Sequence, residues 1–241
     1  MKSIGLIGGM SWESTALYYQ IINREVARRL GGLRSARIHL CSLDFEDVVQ
    51  RQKAGAWDEL ARMLADAGRH LERAGADCVL IGTNTMHRVA PEVQSGLKVP
   101  LLHIADVTAQ AIVAAGCRSV ALLGTRYTME QTFYIERLAQ YGIDCVVPMA
   151  AHRDEVHRVI FDELCQGVVS EESRENLRDI VAHQVARGAQ GVILGCTELP
   201  MILDQAHVDV PLFDTTRLHA LAAVDFALGT RLDAAPERLA A

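Results

Sequence analysis

Three segments of this chain occur twice, in the same order. IGLIGGMSWESTALYY (4–19) aligns with VALLGTRYTMEQTFYI (120–135), GADCVLIGTNTM (75–86) with GAQGVILGCTEL (189–200), and VPLLHIADVTAQA (99–111) with VPLFDTTRLHALA (210–222). Equivalent positions are offset by 116 at Gly8 and Gly124, by 113 at Gly82 and Gly195, and by 111 at Val99 and Val210. Any two strand–helix units share an apolar run and a closing glycine. Three ordered matches with a slowly falling offset are instead what one duplicated half with small loop deletions leaves behind.

Each half alternates short β-branched runs (SIGLI, DCVLI, VALLG, GVILG) with longer segments of helical period. The strongest helix signal spans 56–74, where Leu60, Met63, Leu64, Ala67, Leu71 and Ala74 recur at steps of three and four and Gly75 supplies the stop. Such alternation predicts βα units on a parallel sheet. The expected fold is α/β, with two pseudo-symmetric lobes, each a mainly parallel sheet flanked by helices. The expected boundaries are 1–100 plus 215–241 for an N-terminal lobe with a returning C-terminal helix, and 101–214 for the C-terminal lobe. Ligands of open α/β sheets bind beyond the carboxyl ends of the strands. A cleft between the lobes is therefore expected to be lined by Gly8–Ser11, Thr83–Thr85, Gly124–Thr128 and Cys196–Glu198, with Thr83 facing Cys196.

The 241 residues are long enough to bury a sizeable core, and 50% hydrophobic with 22% charged is a globular composition. A net charge of −6 without a basic stripe argues against nucleic-acid or anionic-membrane partners. The apolar run at the N-terminus breaks at Gly8-Gly9, too short for a signal or a membrane span, so a cytoplasmic protein is expected. Six cysteines without a CxxC pair fit reduced thiols better than a disulfide framework.

The chemistry is expected in the paired loops. Cys196 follows a strand and precedes an expected helix N-terminus, where the dipole and free N–H groups favour a thiolate and lower the thiol pKa. Cys41, Cys78, Cys117 and Cys145 read as structural. A hydrolytic cysteine would want a histidine base, for which His87, His103 and His219 are candidates; a lone histidine near a helix start is more often a surface or capping residue. No HExxH, CxxC, P-loop or GxGxxG is present, and the only lysines are Lys2, in front of a strand, and Lys53 and Lys98, in turn-like segments. No metal and no cofactor are expected. Two facing groups can then work on opposite faces of one carbon, one removing a proton and the other returning one. Thr83, Asn84, Thr85, Thr197 and nearby N–H groups would hold a carboxylate.

Taken together, IGLIGGMSWEST, the NT of GTNTM, GTRYTM and GCTE resemble the aspartate/glutamate racemase family over nearly the whole chain. The resemblance implies a cofactor-independent amino-acid racemase, a homodimer with its active site between two lobes. The family carries a cysteine in each half; here Cys196 matches the second, and Thr83 stands at the first, as in the L-aspartate/glutamate-specific or broad-specificity subgroup. The resemblance assigns catalysis to Cys196 and Thr83 and substrate contacts to Met10, Gln52, Asn84, Thr85, Thr197 and Glu198. Many members place a lysine near the segment FDELCQG, where it would meet an acidic side chain; this chain has Cys165 there. Arg51, Lys53 and Arg126 are the other charges considered for that role.

A hydroxyl is a far weaker acid than a thiol, so Thr83 cannot readily start the reaction. Cys196 is expected to remove the Cα proton of an L-substrate and Thr83 to help return one, directly or through water. Glu198 is expected to orient Thr197 or the substrate ammonium, or to satisfy a helix dipole. The competing readings are a hydantoin racemase, a maleate isomerase, an arylmalonate decarboxylase, or a non-catalytic protein that binds a small carboxylate.

Overall fold

The structure, a computed structural model, describes residues 1–230. Residues 231–241 of the expected returning segment lie outside the described residues. The chain forms two compact units, Met1–Ile104 together with the segment from His219 onward, and Ala105–Leu218.

The first unit contains β1 (Ile4–Gly8), α1 (Trp12–Leu30), β2 (Ile38–Ser42), α2 (Phe45–Lys53), α3 (Trp57–Arg73), β3 (Cys78–Ile81), a 3-10 turn at Thr85–Val89, α4 (Ala90–Ser95) and the first residue of α5 (Ile104–Ala114). Its parallel sheet has the order β2-β1-β3. Every residue of β1 and β3 is buried, as expected of parallel strands covered on both faces. Side chains of β1 alternate between two apolar clusters. Ile4 and Leu6 pack with Tyr18, Ile22 and Val26 of α1, whereas Ile7 packs with Leu60, Leu64 and Leu71 of α3. The period seen over 56–74 is this buried stripe of α3, and Gly75, at φ 98°, ends the helix.

The second unit contains β4 (Ser119–Gly124), α6 (Arg126–Glu130), α7 (Thr132–Ala139), β5 (Asp144–Val146), α8 (Ala150–Arg158), a π-turn at Val159–Glu163, a 3-10 turn at Leu164–Gln166, α9 (Glu171–Ala186), β6 (Val192–Gly195), a 3-10 turn at Leu199–Met201, β7 (Leu212–Asp214) and the start of α10 (Thr215–Leu228). Its sheet is again parallel, in the order β5-β4-β6-β7. Ala121 and Leu123 pack with Val156 of α8 and with Leu177, Ile180 and Val181 of α9. The last part of α10 belongs to the first unit, where Ala220, Ala223, Val224 and Ala227 join Ile4 and Leu6.

The registers carry the duplication to single residues. Ile7 opposes Ile81 as Leu123 opposes Leu194, and Gly5 opposes Val79 as Ala121 opposes Val192. Even the isolated bridge between Val79 and Leu101 has its counterpart, Val192 with Leu212 in β6 and β7. The fold is thus two parallel-sheet α/β lobes with flanking helices. Among the described residues no helix is long and apolar enough to cross a membrane.

Candidate active site

In the first unit the loop after β1 and the loop after β3 are tied to the strands that end there. Gly82 N–H donates to Ile7 O at 2.8 Å, and Thr83 N–H donates to Ile81 O at 2.9 Å. Thr15 bridges the other loop: its hydroxyl accepts from Gly9 N–H at 2.8 Å and donates to Ser11 O at 2.9 Å. Gly9 is required there, because at φ 85° an added Cβ would meet Leu43 O at 2.1 Å. Ser11 caps α1 by accepting from Ser14 N–H.

Thr83 and Thr85 are half-buried and Asn84 is buried. Met10, expected to touch substrate, has its side chain in the apolar cluster with Ile7, Val48, Ile81 and Met86. Gln52, on α2, donates to Met86 Sδ at 3.1 Å. His87 does not sit at the surface as its position near a helix start suggested: it is 1% exposed, because the 3-10 turn directs its ring inward. It meets His103 edge to face at 4.7 Å and His219 at 5.6 Å between ring centres.

In the second unit Gly124 and Gly195 lie side by side at the ends of β4 and β6. A Cβ on Gly195 would come within 3.0 Å of Leu123 O, so glycine lets the two strand ends close up. Thr125 caps α6 by accepting from Thr128 N–H. Beyond Gly195, Cys196 Sγ donates to Glu198 Oε2 at 2.8 Å, and Thr197 Oγ1 donates to the same oxygen at 2.6 Å.

This geometry corrects the expected thiolate. The segment after GCTE is a three-residue 3-10 turn, so no α-helix N-terminus faces the sulfur. Cys196 packs against the apolar cluster of its lobe. Burial, then the charge of Glu198 and its hydrogen bond, push the thiol well above its ordinary value, with Cys165 adding a smaller effect of the same sign. Cys196 therefore rests as a thiol that donates to a carboxylate.

The remaining charges are placed at the surface. Cys165 is exposed on the turn Leu164–Gln166. Arg51 lies 3.6 Å from Asp47 and 3.3 Å from Glu59, and Arg126 pairs with Asp154 at 2.8 Å. Lys53 closes α2 rather than lying in a turn. Among the described residues no group of three or more His, Cys, Asp or Glu side chains could hold a metal ion. All six cysteines are free; Cys78, Cys117 and Cys145 are buried, and burial pushes the thiols of Cys78 and Cys145 up to about 12.

The sequence suggested three histidines without connecting them, and Tyr18 was not suggested at all. Tyr18 OH donates to His219 Nδ1 at 2.8 Å across 201 residues of chain, a pairing that no local spacing signals.

Known proteins with this arrangement are racemases or their homologues. The sequence pattern of the Asp/Glu/Hydantoin racemase family matches residues 7–223. The broad specificity amino-acid racemase RacX of Bacillus subtilis (strain 168) is 25% identical over 170 residues, covering 69% of this chain and 72% of RacX. A Yersinia pestis chain assigned to the Asp/Glu racemases superposes with a TM-score of 0.91 at 48% identity, covering 95% of this chain and all (100%) of that one. An aspartate racemase homologue from Pyrococcus horikoshii OT3 gives 0.85 at 36% identity over 95% and 100% of the two chains. With the family pattern running from β1 into α10 and both strand-end loops in place, this chain belongs to the Asp/Glu/Hydantoin racemase family.

Proposed function

We propose that the protein is a cofactor-independent amino-acid racemase whose two half-sites are chemically unequal. The observation that carries this reading is the bond of 2.8 Å from Cys196 to Glu198, which gives a buried thiol an immediate proton acceptor. As substrate binds, the thiol proton passes to Glu198 Oε2. The thiolate then takes the Cα proton of the L-amino acid: the C–H bond breaks, an S–H bond forms, and the electron pair enters a carbanion delocalised into the substrate carboxylate. Thr83 returns a proton on the other face, directly or through water, and water restores its hydroxyl.

Glu198 thus acts as the partner base of Cys196, while Thr197, hydrogen-bonded to the same oxygen, keeps it in place. Met10, Gln52, Asn84 and Thr85 belong to the substrate-binding set on the strength of the family motifs. Loop N–H groups around the substrate carboxylate stabilise the developing charge, each worth on the order of 3 kcal/mol. Aspartate, glutamate or a broader set of amino acids are the substrates. Six free cysteines suit a reducing compartment, the cytoplasm.

Enantiomers have equal free energies, so the equilibrium constant is one and the inequality of the half-sites must show in rates. The test is Cα deuteration in D2O, followed by NMR over a panel of L- and D-amino acids without added cofactor. Exchange is expected for both enantiomers of at least one amino acid and is abolished by Cys196→Ala. Absence of exchange throughout the panel would overturn the racemase reading in favour of a decarboxylase, another isomerase or a binding protein. Exchange that survives Cys196→Ala would overturn the assignment of the base. Thr83→Ala should hurt less than Cys196→Ala, and Thr83→Cys should make the two directions more alike.

A further inference from the structure

Proton transfer through Cys196 and Glu198 leaves the buried histidines of the other lobe without a task. His87 Nδ1 lies 2.8 Å from Thr83 O, and a carbonyl can only accept, so Nδ1 carries the proton. His87 Nε2 lies 3.2 Å from Ile104 N, whose N–H can only donate, so Nε2 is the lone pair. His219 has the opposite tautomer: its Nε2 donates to Leu102 O at 2.7 Å and its Nδ1 accepts from Tyr18 OH at 2.8 Å. Each ring is held neutral by one donor and one acceptor that cannot exchange roles.

These bonds converge on Thr83. Its N–H is bound by Ile81 O at 2.9 Å and its C=O by His87, so its backbone is fastened on both sides. The strand supplies the first bond and a side chain supplies the second. His219 holds the Leu102 carbonyl, two residues before the amide that His87 accepts. The second half of the chain lacks the device. At the offset of 113, Thr83 corresponds to Cys196, whereas His87 corresponds to Pro200, which has no side chain able to donate. The clamp belongs to the threonine half alone. That asymmetry has a chemical reason: a hydroxyl is short, poorly polarisable and weakly acidic, so it depends on placement more than a thiolate does.

We infer that His87 is the positioning residue of Thr83: as the neutral Nδ1–H tautomer it grips the Thr83 carbonyl and aims the hydroxyl, while His219 and Tyr18 steady the segment that occupies its other nitrogen. The role rests on the racemase reading, because it matters only if Thr83 handles a proton. The clamp itself can be examined without turnover.

Two sets of measurements on the full chain test it. Long-range proton–nitrogen correlation spectra at neutral pH are expected to show His87 protonated at Nδ1 only and His219 at Nε2 only. Amide exchange at Gly82 and Thr83 should accelerate at least about tenfold in His87→Phe while the amides of α9 stay unchanged. A charged or Nε2-protonated His87, or unchanged exchange at Thr83, overturns the clamp whether or not the protein racemises anything. In turnover, His87→Phe should lower kcat about 100-fold with KM within about threefold, since a small misplacement of a reacting group costs that much. His87→Asn, whose amide nitrogen falls near the place of Nδ1, should recover most of the loss, whereas His87→Gln, which reaches to the place of Nε2, should not. In a Thr83→Ala background, His87→Phe should add less than about a twofold further loss. A full additive loss there would show that His87 does not act through Thr83. Failure of every amino acid to exchange in the parent protein defeats the functional reading instead, and the spectra still decide the clamp.

Discussion

Glu198 acts on Cys196 in two opposing ways. Its charge raises the thiol, which disfavours the thiolate, and its oxygen accepts the thiol proton, which makes the thiolate reachable. Glu198→Gln separates the two. The neutral amide should let the thiol titrate at lower pH, visible in the ultraviolet absorbance of the thiolate, while turnover at neutral pH falls about 100-fold for want of the acceptor. A variant as fast as the parent would mean that Glu198 only orients. His219 gives a second prediction at this scale. Burial, then the neighbouring His87, hold its pKa down to about 3 against an ordinary value of 6.5, with the Leu102 carbonyl opposing. Between those values the unfolded chain binds a proton that the folded chain refuses. The contribution to stability is therefore complete above pH 6.5 and is lost progressively as the pH falls towards 3, on the order of 4 kcal/mol in all. Urea midpoints at neutral and acid pH should fall further apart in the parent than in His219→Gln, which does not titrate. Equal slopes would show that another group governs the acid transition.

Among the elements, the loop after β1 is the least tolerant of change. Gly9→Ala forces a Cβ into the Leu43 backbone at a positive φ and should cost about 3 kcal/mol or more. Gly31→Ala, also at positive φ but with nothing within 4 Å, should cost only about 1 kcal/mol. Thermal or denaturant unfolding of the two variants checks the contrast, and equal costs would mean that the loop relaxes around the methyl group. The same elements show what the sequence reveals of the fold. β1, β3, β4 and β6 are legible because strands buried on both faces are written as unbroken apolar runs. β2 alternates between half-buried and exposed positions, and β5 and β7 have three residues each, too few for a period. The two strand-end loops are legible through the duplication. The thiol of Cys196 is not, because a polar segment containing Pro200 reads as a helix start and becomes a 3-10 turn. The histidine network is invisible in sequence for a different reason. It joins α1, the turn after β3, the start of α5 and α10, so its geometry exists only after the lobe has closed.

Duplication also bears on the molecule as a whole, since two copies of one design that share strand order and register can still present different surfaces. In the first lobe β2 is the sheet edge, and next to it Trp12 and Tyr19 of α1 and Leu40 of β2 are 69%, 56% and 51% exposed. With Leu6, Ala16 and Ile38 they border a hollow of about 330 Å³. Large apolar side chains gathered beside an open strand edge are costly to leave in water and prone to pairing. A homodimer is what the family resemblance implies, and a twofold contact needs only one such self-complementary patch per chain. Light scattering is accordingly expected to give twice the chain mass of 26.4 kDa. Replacing Trp12 by Glu together with Leu40 by Lys should return the single-chain mass without altering the circular dichroism, because both side chains point into solvent and carry little of the core. A parent protein that runs as one chain, or a double variant that still pairs, would show that this face is not the contact.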